Sequence, residues 1–199
     1  MRVVFMGTPD FAVGTLKAII EAGYDVAAVV TQPDKPKGRS KSLVFSPVKE
    51  EAVAHGITVL QPERARDEAF VEELRTYNAD VIVVVAFGQL LPASIINMPG
   101  YGCINVHASL LPKYRGASPI QWAVIDGCEY SGVTTMKMDE GLDTGDILMV
   151  EKVKLDAKET GGSLFDRLSD VGAQLLVKTL EGLEAGTITP VKQDDSEST

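Results

Sequence analysis

The sequence predicts an α/β protein built on an open, doubly wound, mostly parallel sheet. Three observations carry that reading. Short apolar, β-rich runs alternate with longer helical patterns, as βαβ units do. The run Val81-Ile82-Val83-Val84-Val85-Ala86 is apolar on both faces, as a strand covered on both sides must be. The 199 residues, 45% of them hydrophobic and 24% charged, are enough for one good-sized core.

In order, residues 3–6 read as a first buried strand, and Gly7-Thr8-Pro9-Asp10 as the turn into a helix that ends near Gly23. Residues 26–30 form a second strand, and 32–44 an irregular polar loop. Ser46-Pro47 resembles an N-cap with proline at the first helical position, opening a helix to about His55. A short strand at 57–60, a helix at 68–78 and the apolar run 81–86 follow. Residues 103–106 are a strand, 119–125 a helix and 132–138 a strand. Alternation over 147–155 suits an edge or hairpin partner, and 164–183 is a long amphipathic helix. Residues 1–189 are expected to form the catalytic domain, and 190–199 a polar tail without core-forming content.

Composition excludes several classes. The apolar content is too high for a disordered chain, and no apolar run approaches the roughly 18 residues a membrane span needs. No secretory leader is expected, since Arg2-Val3-Val4-Phe5-Met6 runs straight into a turn. Cys103 and Cys128 lack CxxC spacing, which argues against a disulfide framework or zinc site and for a reducing, cytoplasmic setting. With 28 acidic and 19 basic side chains the net charge is −9, unlike a general nucleic-acid binder. The first turn lacks GxGxxG, and no glycine-rich stretch ends in Gly-Lys-Ser/Thr, so dinucleotide and P-loop readings fail.

In open α/β sheets ligands bind beyond the carboxyl ends of strands. Of the two histidines, His55 sits at a helix C-terminus, where an imidazole complements the dipole. His107 instead follows the strand Cys103-Ile104-Asn105-Val106. The two-residue period puts Asn105 and His107 on one face, an amide donor beside an imidazole, suited to holding a developing oxyanion. A hydrogen-bonded histidine at a strand end is the alternative. The loop 138–147 holds four carboxylates and two glycines without the spacing of a calcium-binding EF-hand loop. One of those carboxylates beside His107 would orient the ring and favour its charged form. Cys103 lies about 13 Å from His107 along a strand, too far to act with it as a nucleophile.

The segments GTPDFA at 7–12, TQPDKP at 31–36, NVHASLLP at 105–112, RGASPIQ at 115–121 and GLDTGD at 141–146 resemble the 10-formyltetrahydrofolate-dependent formyltransferases. The first two point, within that group, to the Rossmann-like formyltransferase domain of methionyl-tRNA formyltransferases. The resemblance runs from Met1 to about Gln193. It implies transfer of the formyl group of 10-formyltetrahydrofolate, a cosubstrate, to the α-amine of initiator methionyl-tRNA, with no metal and no membrane. It implies Asn105, His107 and Asp143 as the catalytic trio. It places tetrahydrofolate against Phe87, Gly88, Gln89, Leu90 and Leu91, the turn Ser109, Leu110, Leu111 and Pro112, and backbone of 137–143.

The basic loop Lys35, Lys37, Arg39 and Lys41 reads from composition as a solvated loop. The resemblance makes it the insertion that meets tRNA, with Arg39 as the leading contact. In the family the chain continues into a C-terminal β-barrel domain, so 190–199 is expected to begin an interdomain linker, and a monomer is expected. Glycinamide-ribonucleotide and sugar-nucleotide formyltransferases share the Asn-x-His and Asp pattern but give no reason for the basic loop. A folate-binding module without activity is the third reading.

Overall fold

The first apolar run becomes β1 (Arg2–Gly7), whose Val3, Val4, Phe5 and Met6 are wholly buried. The computed structural model describes residues 1–37 and 42–199, and the chain divides into two compact units, Met1–Cys103 and Ile104–Thr199.

In the first unit, β1 leads through α1 (Asp10–Glu21), β2 (Asp25–Val30), β3 (Lys35–Lys37), β4 (Ser42–Val44) and α2 (Pro47–Ala54). Next come β5 (Val59–Leu60), α3 (Glu68–Arg75), β6 (Val81–Val85) and the short α4 (Ala93–Ile96). The strand order is β5-β2-β1-β6, every pair parallel, with Val3 opposite Val81 and Val29 opposite Val59. All five residues of β6 are buried, as its two-sided apolar run requires. The helix α1 buries Phe11, Ala12, Thr15, Leu16 and Ile19, a stripe at helical spacing. At α2 the expected cap is present: Ser46 Oγ accepts from Lys49 N at 3.1 Å, with Pro47 first in the helix.

Parallel pairing brings the carboxyl ends of β1, β2 and β6 to one edge. Hydrogen bonds tie their loops together there. Thr8 Oγ1 donates to Phe87 O at 3.0 Å, and Gln32 Nε2 donates to the same carbonyl at 3.2 Å.

The second unit is built on β7 (Cys103–His107), β8 (Tyr130–Lys137) and β9 (Asp146–Lys154), paired antiparallel, with α5 (Pro119–Ile125) and α6 (Gly161–Glu184). A 3₁₀ turn follows at Asp195–Glu197. A reciprocal box caps α6: Thr160 Oγ1 accepts from Ser163 N and Ser163 Oγ accepts from Thr160 N. Gly172 lets this helix lie on the sheet, since a Cβ there would stand 3.1 Å from Val106 Cγ1. No described helix is long and apolar enough to cross a membrane.

The structure departs from the expected elements in three places. The expected irregular loop 32–44 contains a two-stranded ladder, Lys35 opposite Val44 and Lys37 opposite Ser42, whose three-residue strands are too short to show an apolar period. The helix α4 is a single turn, too short to show periodicity. The segment after α6 is held in place: Val191 and Ile147 exchange two backbone hydrogen bonds at 2.8 Å, and Gln193 is buried.

Thr135 and Thr179 are fully buried and share a 2.8 Å hydroxyl–hydroxyl bond between β8 and α6, while Thr179 also donates to Leu175 O. Removing one partner strands the other in an apolar setting. Thr179→Val should lower the unfolding free energy by about 1–3 kcal/mol in urea titrations. The Thr135→Val/Thr179→Val double variant should lose less than the two single losses combined.

Candidate active site

The end of β7 presents Asn105 and His107 on the same face, two residues apart, and Asp143 comes to them from the loop between β8 and β9. Asp143 has φ 52°, a left-handed conformation that aspartate tolerates better than most residues. Its carboxylate receives three groups. Asn105 Nδ2 donates to Oδ1 at 3.4 Å, Gly116 N donates to Oδ2 at 2.8 Å, and His107 Nδ1 stands 3.6 Å from Oδ2. The His107 side chain is only 9% exposed and that of Asp143 14%. On the other side of the ring, His107 Nε2 lies 2.8 Å from Tyr114 O.

Both imidazole nitrogens therefore face acceptor oxygens. A neutral ring carries one N–H and one lone pair, whereas the doubly protonated ring offers a donor on each side. The arrangement thus suits an imidazolium held between a carbonyl and a carboxylate, with an amide donor alongside. Such a set can stabilise a developing oxyanion and relay a proton.

The structure brings together the three residues expected to be catalytic. Around them are groups the sequence does not reveal. Tyr114 O and Gly116 N act through backbone, so their side-chain identities carry no signal. Tyr114 has φ 55°, and its hydroxyl donates to Asp126 Oδ2 at 2.7 Å with Cys128 Sγ 3.1 Å away. Those two neighbours push the phenol well above its usual range, the thiol contributing most. Arg115 and Gln193 are side chains in the same constellation. Gln193 sits in a stretch whose polarity reads as solvent-facing, and nothing in its composition marks it.

The expected folate segments are found at strand ends. After β6, Phe87 is buried and Leu90 exposed, while Gln89 is committed to structure: its Oε1 accepts from Ala65 N at 2.7 Å and its Nε2 donates to Pro62 O. Gly88 has φ 83°, and Leu91 is half-buried. After β7, Ser109 and Leu111 are buried and Leu110 and Pro112 half-buried. Thr134 Oγ1 donates to Ser109 O at 2.7 Å and accepts from Leu111 N, and Ser109 Oγ donates to Lys113 O. These bonds leave the 109–112 turn ordered, with partly apolar surface. Among the described residues no group of three or more His, Cys, Asp or Glu could hold a metal ion.

Of the expected tRNA contacts, Lys35 is exposed on β3 and Lys37 ends that strand. Arg39 and Lys41 lie outside the described residues. The stem beneath them is firmly built. Asp34 accepts from Lys49 Nζ at 2.5 Å and from Gln61 Nε2 at 2.8 Å, and Lys49 Nζ also stands 3.9 Å from the Phe45 ring centroid. His55, as expected, caps α2, its Nδ1 3.0 Å from Glu51 O.

The Lys49 and Gln61 hydrogen bonds hold the Asp34 carboxyl below the usual carboxylate range. Their stabilisation is complete above the ordinary aspartate value of about 3.9 and is lost as pH falls through the lower native value. Thermal unfolding should therefore show wild type more stable than Asp34→Asn at pH 6, with the gap closing below about pH 4.

Residues 1–180 match the family model described as formyl transferase. The chain is 98% identical over 199 residues to a methionyl-tRNA formyltransferase of Lachnospira eligens, and 64% identical to one of Agathobacter rectalis. Each alignment takes in the whole chain but only 63% and 64% of the respective relative. Among solved structures, a phosphoribosylglycinamide formyltransferase from Bacillus halodurans is 25% identical with TM-score 0.76, covering 92% of this chain and 95% of that one. A glycinamide ribonucleotide transformylase from Symbiobacterium toebii shares the fold at TM-score 0.80 and 18% identity, over 98% of this chain and 94% of its own. With a mixed α/β sheet, the Asn105–His107–Asp143 cluster at a strand end and a family match over nine-tenths of its length, this chain belongs to the formyl transferase family.

Proposed function

We propose that the protein transfers the formyl group of 10-formyltetrahydrofolate to the α-amino group of initiator methionyl-tRNA, acting in the cytoplasm as a monomer. The observation that carries the chemistry is the convergence of Asn105 and His107 on the Asp143 carboxylate, Asn105 Nδ2 at 3.4 Å and His107 Nδ1 at 3.6 Å. The acceptor follows from the relatives named above and from the Lys35, Lys37, Arg39 and Lys41 cluster, which has no role in formyl transfer to a small acceptor.

The neutral α-amine attacks the formyl carbon, forming a C–N bond and a tetrahedral intermediate. Its oxyanion is held by the remaining N–H of Asn105 Nδ2 and stabilised by the positive charge of the nearby His107 imidazolium. Asp143 balances the imidazolium charge and passes the proton lost by the attacking nitrogen, directly or through water, to N10 of the folate. The C–N10 bond then breaks, releasing tetrahydrofolate and the formylated amine. No covalent enzyme intermediate is required. The family resemblance assigns folate contacts to Phe87, Gly88, Gln89, Leu90 and Leu91 in the first unit and to Ser109, Leu110, Leu111 and Pro112 in the second. Leu90 is exposed and Leu110 half-buried, so each segment offers apolar surface to a pterin.

His107→Ala and Asp143→Ala should each reduce kcat by roughly 10²- to 10⁴-fold, the usual worth of acid–base and oxyanion groups. Binding of a folate analogue, followed by calorimetry, should change little. Wild-type turnover in either variant would defeat the assignment. A parallel assay with methionyl-tRNA, glycinamide ribonucleotide and an amino-sugar nucleotide decides the acceptor.

For the loop, deletion of 36–41 should lower kcat/KM for methionyl-tRNA and flatten its salt dependence, since phosphate contacts set that slope. The KM for the folate should stay unchanged. Normal formylation of the tRNA by the deletion variant would remove the loop from recognition.

A further inference from the structure

Gln193 lies beyond α6 in a polar stretch, yet it is only 6% exposed and every hydrogen-bonding position of its amide is used. Nε2 donates to Asp143 O at 2.9 Å and to Gly145 O at 2.7 Å. Oε1 accepts from Arg115 Nε at 3.0 Å and from Arg115 Nη2 at 2.9 Å. An amide has two N–H donors and an oxygen with two lone pairs, and all four are taken.

The two loops joined through this amide are the ones that hold His107. One carries Asp143, facing Nδ1 of the ring. The other carries Tyr114, whose carbonyl faces Nε2, and Gly116, whose N–H holds the Asp143 carboxylate. Neither loop is at rest by itself: Asp143 has φ 52° and Tyr114 φ 55°. Gly145 is pressed against β8, where a Cβ would stand 1.9 Å from Lys137 O. The Gly145 carbonyl held by Gln193 thus belongs to backbone packed tightly against β8.

Delivery of Gln193 is also fixed. The Val191–Ile147 bridge docks the chain on β9 two residues earlier. Beyond it, Arg115 Nη2 donates to Asp195 Oδ1 at 2.8 Å, and Tyr114 N and Arg115 N donate to Thr199 Oγ1 and O at 2.9 and 3.0 Å.

We infer that Gln193, gripped by Arg115, is a positioning residue that sets the separation of His107 and Asp143, an inference that deepens the proposed formyl transfer and rests on it. Only a neutral amide of this length meets the site. Glutamate would turn a second oxygen on the two carbonyls, and a cationic side chain would have no acceptor for Arg115.

The test is Gln193→Glu, which keeps an acceptor for Arg115 but removes both donors. Formyl transfer should fall roughly 10- to 100-fold in kcat, the scale of a misplacement near an ångström. The KM for the folate should stay within about threefold, the pH–kcat profile should shift, and the ¹⁵N-imidazole NMR signals of His107 should move at fixed pH. Wild-type kcat, pH profile and His107 signals would overturn the inference, as would a kcat loss that vanishes once corrected for the folded fraction. If Gln193→Glu does not fold, Arg115→Lys serves through the same readouts, because one ammonium cannot replace the paired guanidinium bonds. Should the wild-type chain transfer formyl to no acceptor, the functional reading fails, while the NMR comparison still decides whether Gln193 positions the ring.

Discussion

The carboxylate of Asp143 is the point on which the second unit's chemistry turns. It is nearly buried and receives an amide, a backbone N–H and one side of an imidazole. A buried carboxylate without such partners would be costly in a medium far less polarisable than water. Here the partners are the side chains of Asn105 and His107 and the N–H of Gly116, so the same contacts that satisfy the charge fix the cluster. Asn105 is oriented by the acceptor it donates to, and His107 is confined between two oxygens on opposite sides of its ring. Satisfying the buried charge also orients the donors gathered around it.

Much of this was legible in the sequence because it rests on periodicity and on side-chain chemistry. The apolar run 81–86 became β6 over Val81–Val85 with both faces covered, and Ser46-Pro47 opened α2 as a cap should. The two-residue spacing of Asn105 and His107 survives directly as a shared strand face. The carboxylate expected beside His107 could be assigned only to a loop of four carboxylates. Its identity as Asp143 came from the resemblance, since the distance from a strand end to a residue 36 or 38 positions later depends on how β8 returns.

What escaped falls into two kinds. Tyr114 and Gly116 contribute backbone atoms, and main-chain groups are common to every residue, so only their folded position singles them out. Gln193 is a polar residue whose burial leaves no hydrophobic period, and β3 and β4, three residues each, are too short to show one. Gln193 is buried by saturation of its hydrogen bonds rather than by apolar surface. Polar surroundings around a glutamine look the same in sequence whether it faces solvent or four partners.

The stem at Asp34 has a consequence of a different order. Lys49 and Gln61 grip the chain just before β3, and the ladder from Lys35 opposite Val44 to Lys37 opposite Ser42 closes the far side. Both ends of the segment between are therefore set by groups outside it. The two ends of the segment 38–41 are thereby held a short distance apart by contacts that none of its own residues supplies.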